Sequence, residues 1–267
     1  MRINILVLLT IVLFALAEPL LSAPDLTGYT LAFDEEFNGP LNISANGPGT
    51  KWIAHTPYGG DFGDAWFTDP TYVPSPFSVR NGTLTITAWK DPTRSNHWRS
   101  GLLCSLDTKG HGFAQALGYF EAKMQLPAGP GVWPGFWLLG LGRFQTPKPK
   151  FVEVDILEEY GKDPLIAHQV VHVWNPDGSE YSAVQNKSTC QGMTTGFHTY
   201  GALLKPDYIH FYYDGAELWK TPTPPEAKEP LFVMVNLALG SGWPIDQTPN
   251  PSRLYVKYIR VYAPFHK

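Results

Sequence analysis

Apolar and polar residues alternate over short stretches of this chain, and turn-forming residues separate those stretches. In residues 118–125, Phe120 and Met124 fall on one face of an extended chain, whereas Glu121 and Lys123 fall on the other. The same kind of pattern predicts strands in residues 29–34, 83–90, 118–125, 151–158, 168–174, 197–204, 208–214, 231–239 and 254–262. No window keeps a helical period over about twelve residues, so the pattern predicts an all-β sandwich or barrel.

Two long segments interrupt this pattern. Residues 51–76 and 240–251 are rich in glycine and proline and carry the aromatic residues Trp66 and Trp243. Long loops with such residues are typical of binding sites. Solvent-exposed connections would have a similar composition, and both interpretations stay open.

The amino-terminal segment has the features of a secretory signal peptide. Arg2 precedes an apolar run over residues 5–17, and small residues follow at 21–23. The run is short for a membrane span. We therefore expect a signal peptide over residues 1–23, one domain over residues 24–267, and a secreted protein, extracellular or periplasmic, with no membrane span after removal of the signal.

Composition narrows the class of protein. Charged residues make up 16% of the chain, its net charge is -4 and no basic run is present, so a nucleic-acid partner is not expected. Aromatic residues reach 14%, which suits either a large β core or stacking on sugar rings. Cys104 and Cys190 could form a disulfide after export, but sequence does not place them within bonding distance.

Acidic residues are concentrated in one otherwise apolar strand, FVEVDILEEYG, at residues 151–161. Glu153, Asp155 and Glu158 are poor strand formers and are costly to bury. No lysine or arginine lies within the segment to pair with them. An ion-paired or solvated sheet face is therefore a weak explanation, and a catalytic function is favoured.

The spacing of these carboxylates predicts a β-bulge. Glu153 and Asp155 share a face, but Glu158, five residues from Glu153, shares it only if one extra residue is inserted near 156–157. The two glutamates would then lie roughly four strand steps apart, about 13 Å between Cα atoms. Side chains that lean together could approach the ~5–5.5 Å carboxyl separation of retaining glycosidases.

Glu159 offers a second assignment, because regular alternation would place it on the same face as Glu153. That arrangement would hold the two carboxylates too far apart for double displacement. Glu158 with one bulge is therefore the prediction, with Glu159 pointing the opposite way.

The motif EVDILE at residues 153–158 resembles the E-x-D-x-x-E signature of glycoside hydrolase family 16, in its bulged, laminarinase-like branch. Fragments along nearly the whole chain after residue 24 resemble the family in the same order, from LAFDEEFNGPL to YVKYIRVYA. The resemblance implies a β-jelly-roll sandwich of two antiparallel sheets with a concave substrate cleft. It implies that Glu153 is the nucleophile, Asp155 its helper and Glu158 the acid/base.

The resemblance also implies substrate-binding residues. Trp133 and Trp137 match aromatics on the cleft floor, His172 matches a histidine near the acid/base, and Trp243 matches a loop aromatic at the rim. Each has a structural alternative. Trp137 could belong to the core, and His172 could be a structural histidine that shares its face with Trp174.

The implied activity is that of an endo-acting retaining β-glycan hydrolase, a monomer with a polysaccharide substrate. Its substrate would be β-1,3- or mixed β-1,3-1,4-glucan, or a bacterial exopolysaccharide, since Leu102 stands where laminarinases often have arginine. A non-catalytic β-glucan-binding sandwich and a transglycosylase are the alternatives. The sequence has neither a histidine and cysteine cluster for a catalytic metal nor a G-x-S-x-G motif.

The family's structural calcium site is expected to be absent. Lys257 stands where the resemblance implies an aspartate ligand. Because lysine has no acceptor atom, it cannot ligate calcium. No cofactor is therefore predicted, and Lys257 is expected to pair with Glu36 instead or to lie solvated at a sheet edge.

Overall fold

The computed structural model describes residues 23–93 and 98–265. The predicted signal peptide, residues 1–23, lies outside these ranges except for its last position. Within them, no helix has the length and apolar character required to cross a membrane.

Strands dominate the described part of the chain. In chain order they are β1 Tyr29–Glu35, β2 Ile43–Ser44, β3 Trp52–Ile53, β4 Ala65–Phe67, β5 Phe77–Val79, β6 Leu84–Lys90, β7 Trp98–Ser100, β8 Leu102–Cys104, β9 Ala114–Gln115, β10 Gly118–Gln125, β11 Val132–Gly140, β12 Phe151–Glu159, β13 Ile166–Trp174, β14 Glu180–Thr189, β15 His198–Leu204, β16 Tyr208–Tyr213, β17 Ala216–Pro222, β18 Leu231–Leu239 and β19 Ser252–Pro264. Two 3-10 turns, Leu141–Phe144 and Pro225–Lys228, follow β11 and β17.

These strands form two sheets. The ten-stranded sheet has the order β17-β16-β15-β10-β19-β6-β7-β4, with β1 on β19 and β5 on β6. The nine-stranded sheet has the order β14-β13-β12-β11-β18-β8-β3-β2, with β9 on β18. The expected antiparallel pairing holds except for two pairs of short strands, β2 with β3 and β4 with β7, which are parallel.

All nine predicted strands are confirmed, but β17, several short strands and the two long strands β11 and β14 were not predicted. β11 begins with Val132, Trp133 and Pro134, a stretch that reads as a turn because proline cannot donate to a sheet ladder. Pairing of β11 with β12 starts only at Gly135, so the N–H that Pro134 lacks would not be needed for a hydrogen bond to β12. β14 is an edge strand and is mostly exposed, so it lacks an apolar face that would reveal it in the sequence.

The nine-stranded sheet is buried on both faces. One apolar cluster fills the space between the sheets and includes Phe136, Val154 and Cys190. A second cluster, which includes Trp137 and Cys104, covers the opposite face of this sheet. Both thiols are buried, and they are free because the sheet lies between the two clusters that hold them.

The first and last strands are joined by an ion pair, but its cation is not the expected Lys257. Glu36 pairs with the Arg260 guanidinium, and Lys257 Nζ donates to the Asn81 carbonyl at 3.2 Å. In β1–β19 pairing Asp34 lies opposite Arg260, so both point to one face, and Glu36 follows on that face two residues later. Lys257 lines the same surface pocket as Glu36 and Arg260 but donates to Asn81 instead, so the predicted Lys257–Glu36 pair is wrong.

Candidate active site

A β-bulge in β12 shapes the site. In the pairing of β12 with β13, Asp155 lies opposite Val170 and Glu158 opposite His168, so three steps along β12 match two along β13. Ile156 is 3% exposed and Leu157 0%, and both belong to the cluster between the sheets. Two successive residues therefore face the core, and the alternation resumes with Glu158 on the cleft face, as predicted from the spacing.

The bulge brings three carboxylates into one cavity. Glu153, Asp155 and Glu158 all line it. Glu159 is fully buried on the face toward the other sheet. In the neighbouring strand β11, Gly135 lies opposite Glu158. A Cβ atom added at Gly135 would lie 3.1 Å from Asn236 Oδ1. A side chain at position 135 would therefore crowd Asn236 and Trp137, which line the cavity with Gly135.

Two aromatic side chains fix the Glu158 carboxylate. The Trp133 indole donates from Nε1 to Oε1 at 2.8 Å, and the Tyr160 hydroxyl donates to Oε2 at 3.3 Å. The two rings lie 6.3 Å apart at an interplanar angle of 31°. Trp133 thus lies on the cavity wall, in direct contact with the residue predicted as acid/base.

A separate set of donors serves the other two carboxylates. Trp174 Nε1 donates to Glu153 Oε2 at 3.2 Å. His172 lies between Asp155, 3.4 Å from Nε2, and Glu180, 2.6 Å from Nδ1, and its ring stacks on Trp174 at 5.2 Å. His172 lies directly opposite Glu153 in β13, so it faces Asp155 and Glu153 rather than standing opposite Glu158.

Burial and like charge raise the pKa values of this cluster. Burial and the Asp155 charge raise the pKa of Glu153 to about 8, against the opposing charge of His172. Burial and Asp155 raise the pKa of Glu158 to about 7, against the Trp133 hydrogen bond. Burial also raises the pKa of Asp155. Since the groups titrate together, the site as a whole retains protons near neutral pH.

The same surroundings favour the charged form of His172, whereas they favour the neutral form of the carboxylic acids. Burial alone would lower its pKa, but the hydrogen bond and charge of Asp155, with the Glu153 charge, raise the pKa to about 9. The ligand atoms of Glu153, Asp155 and His172 lie within 4.8 Å of one another, close enough to hold a metal ion. However, both ring nitrogens of His172 face carboxylates, and a doubly donating imidazolium has no lone pair for a metal. The trio is better suited to sharing protons.

The remaining walls of the cavity come from β11, β18 and the long loop after β3. Trp137 is 7% exposed, and its Nε1 donates to Asn236 Oδ1 at 2.8 Å. Tyr58 and Phe62, from the segment predicted as a binding loop, complete the lining. Phe62 contacts Trp133 and Trp137 edge to face, at 5.4 and 5.8 Å.

Trp243 lies apart from this cavity. It is 41% exposed, and Lys162 Nζ lies 3.6 Å from the centroid of its ring. Sequence reasoning missed Tyr160, His168 and Asn236. His168 contacts Tyr160 edge to face at 4.8 Å. The position of Tyr160, two residues after Glu158, was a signal that could have identified it.

Two relatives from Rhizobium meliloti (strain 1021) are similar to this chain. The chain is 35% identical to Endo-1,3-1,4-beta-glycanase EglC over 211 residues, which are 74% of this chain and 43% of that protein. It is 33% identical to Endo-1,3-1,4-beta-glycanase ExsH over 251 residues, 86% of this chain and 51% of that protein. The chain therefore spans about half the length of these relatives.

Solved structures agree with the fold. An endo-beta-1,3-glucanase from Pyrococcus furiosus superposes with a TM-score of 0.70 at 28% identity, over 88% of this chain and 94% of that chain. The laminarinase catalytic domain from Thermotoga maritima MSB8 also gives a TM-score of 0.70, at 24% identity over 88% and 98% of the two chains. The model of glycosyl hydrolases family 16 matches residues 68–260, which include the whole carboxylate cluster. The chain belongs to glycosyl hydrolases family 16.

Proposed function

We propose that this chain cleaves internal bonds of a β-1,3- or mixed β-1,3-1,4-glucan and retains the anomeric configuration. The observation that carries the proposal is the bulge at residues 156–157, which directs Glu158 into the cavity lined by Glu153. The printed names of EglC and ExsH support a β-1,3-1,4-linked polymer. A bacterial exopolysaccharide with related linkages is the variant that the same site would accommodate.

In the proposed mechanism Glu153 attacks the anomeric carbon while Glu158 protonates the leaving oxygen. Glu158 then removes a proton from water, which hydrolyses the glycosyl-enzyme. Burial and Asp155 raise the pKa of Glu153 to about 8, and the His172 charge and the Trp174 N–H oppose this by favouring the ionised form that attacks. Asp155 raises the pKa of Glu158 through its charge, so a proton is available for the leaving group near neutral pH.

The linkage is tested with a panel of lichenan, laminarin, agarose and a succinoglycan-type polymer, followed by sizing of the products. We expect a rapid fall in polymer length on lichenan or laminarin, with oligosaccharides as early products. A binding protein would leave all four polymers intact. A transglycosylase would transfer the cleaved fragments to other sugar chains, so some products would be longer than the fragments that cleavage releases. Hydrolysis is supported if water is the main acceptor of the cleaved fragments.

Retention is a separate prediction. Double displacement through two carboxylates leaves the first-formed reducing end in the β configuration. Proton NMR within the first minutes of a reaction, before mutarotation, should therefore show the β anomer first. First-formed α product would indicate inversion and would exclude Glu153 as nucleophile.

Secretion and the absence of calcium are also proposed. The signal-like residues 1–23 and the polymeric substrate support an extracellular or periplasmic location. The region where the resemblance placed calcium carries two cationic side chains. Arg260 forms an ion pair with Glu36, and Lys257 donates a hydrogen bond to the Asn81 carbonyl. These residues do not fit a divalent cation, which requires oxygen ligands with free lone pairs.

Thermal unfolding tests the calcium proposal. A ligand that binds the folded state raises its stability, so a protein without the site should have the same Tm with and without EDTA. Added calcium should have no more effect than added magnesium. A fall in Tm with EDTA that calcium reverses would show that a site exists despite Lys257.

A further inference from the structure

A second cavity adjoins the first at the Glu153 end of the cleft. The two cavities share Tyr58 and Glu153, whereas Glu158 lines only the first. If Glu158 protonates the leaving group, the second cavity lies on the opposite, glycone side. It would receive a sugar of the chain that becomes bonded to Glu153.

Arg143 lines this second cavity. It belongs to the 3-10 turn after β11, and its guanidinium lies over the Tyr58 ring at 4.6 Å and near the Phe151 ring at 5.1 Å. The turn between β13 and β14 passes close by, since a Cβ built on Gly178 would lie 3.9 Å from Nη1. Two aromatic rings and this turn therefore hold the guanidinium in place.

Arg143 has no anionic partner among the residues that the structure describes. No carboxylate oxygen lies within 4.0 Å of it and no hydrogen bond engages it, whereas Arg99 pairs with Asp91 at 2.7 Å and Arg260 with Glu36. Arg143 is half-buried as a residue, and its N–H groups point at no protein acceptor in the described part of the chain, whereas buried charges are normally paired.

The neighbouring carboxylates already have their own donors. Asp177 accepts from the Ser179 hydroxyl at 2.7 Å, and Glu180 faces His172 at 2.6 Å. Glu153 accepts from the Trp174 indole. The positive charge of Arg143 is therefore available to a ligand.

We propose that the second cavity binds a sugar residue carrying an anionic group, and that Arg143 holds this group. Arginine suits the role, because its planar fork matches a carboxylate or sulfate in bidentate fashion and its face stacks on aromatic rings. The Trp174 indole, another wall of the cavity, offers a face for the sugar ring. The inference rests on the proposed hydrolase function and narrows its substrate to an acidic or acid-substituted β-glycan.

The test compares lichenan with two derivatives, one partly oxidised at its primary hydroxyls to carboxylates and one sulfated. The readout is the ratio of kcat/KM on each derivative to kcat/KM on lichenan. We expect the wild type to favour at least one derivative and Arg143→Gln to lower that ratio about 10- to 100-fold, the value of a hydrogen bond to a charged group. The derivative that responds distinguishes carboxylate from sulfate.

Two further variants sharpen the test. Arg253→Gln, an exposed arginine in β19 of the other sheet, should keep the wild-type ratio. Arg143→Lys should keep part of the preference, since it retains the charge without the planar fork. If Arg143→Gln instead lowers Tm and reduces kcat/KM equally on all three polymers, Arg143 is a packing residue and the proposal is overturned.

Binding measurements distinguish failure of the anionic site from failure of the proposed hydrolase function. Calorimetric binding to the Glu158→Gln protein requires no turnover and compares oxidised, sulfated and unmodified lichenan directly. Tighter binding of an anionic derivative that also needs Arg143 supports the site even if no polymer is hydrolysed. Equal binding of all three polymers overturns it, whatever the activity.

Discussion

Alanine at either Glu153 or Glu158 is expected to lower kcat on a β-glucan by at least about 100- to 10,000-fold, the usual contribution of a positioned acid or base. Azide should distinguish the two variants. Without Glu153, azide attacks from the face that the nucleophile occupied and gives an α-glycosyl azide. Without Glu158, an activated aryl glycoside still forms the glycosyl-enzyme, and azide then releases a β-glycosyl azide.

The fold of both variants should persist. Each carboxylate is buried beside others that raise its pKa, so removing one relieves repulsion in the cluster. The Tm should stay equal to that of the wild type or rise. Glu159→Gln, which alters the opposite face of the same strand, is the matched control and should keep its activity near pH 6. Loss of activity in Glu159→Gln with retention in Glu158→Ala would show that the proposed roles are assigned to the wrong glutamate.

The bulge could be predicted because it follows from parity along one strand. Glu158 is five positions after Glu153, and side chains an odd number of positions apart point to opposite faces of a regular strand. A strand can therefore place both in one cavity only with an inserted residue. The same parity predicts that Phe136 and Trp137 face opposite sides, and the structure places Phe136 between the sheets and Trp137 on the cleft side. Such predictions need no knowledge of neighbouring strands.

Contacts between strands could not be predicted in this way. Asn236, whose side-chain oxygen accepts from the Trp137 indole, lies about a hundred residues away in β18. Its place beside β11 depends on a strand register that the sequence does not display. The Lys257–Glu36 pair was wrong for the same reason, since the register of β19 against β1 brings Arg260, three residues after Lys257, next to the acidic residues of the first strand. Arg143 was missed because its stacking on Tyr58 joins two loops that are distant in sequence.

Glu159 carries the second large prediction, which concerns stability. Both of its carboxyl oxygens are buried without a hydrogen-bond partner in the described part of the chain, and so is the Tyr200 hydroxyl in the facing sheet. Burial, with the charge of Asp163, raises the pKa of Glu159 from 4.5 to about 8. Since an unpaired buried carboxylate is costly, the neutral acid is the form compatible with the core.

The sign of the pH dependence follows from proton uptake. Between pH 4.5 and about 8 the folded protein keeps a proton that the unfolded chain has released. Stability therefore falls as pH rises through this window, by up to about 1.4 kcal/mol per unit, or about 3–5 kcal/mol in all. Below the window the pH-dependent penalty of this group is absent, and above it the penalty is constant.

Glu159→Gln should remove that dependence, because an amide has nearly the same shape as the neutral acid and does not ionise. Its Tm should be close to that of the wild type at pH 5.0 and higher by roughly 5–15 °C at pH 8.5. The cleft carboxylates titrate in both proteins, so their contribution cancels in the difference. Glu229→Gln, which alters an exposed glutamate, should follow the wild-type curve at every pH. If the Glu159→Gln and wild-type curves run parallel from pH 5.0 to 8.5, the Glu159 carboxylate is solvated or paired in the folded protein, and a neutral buried acid is excluded.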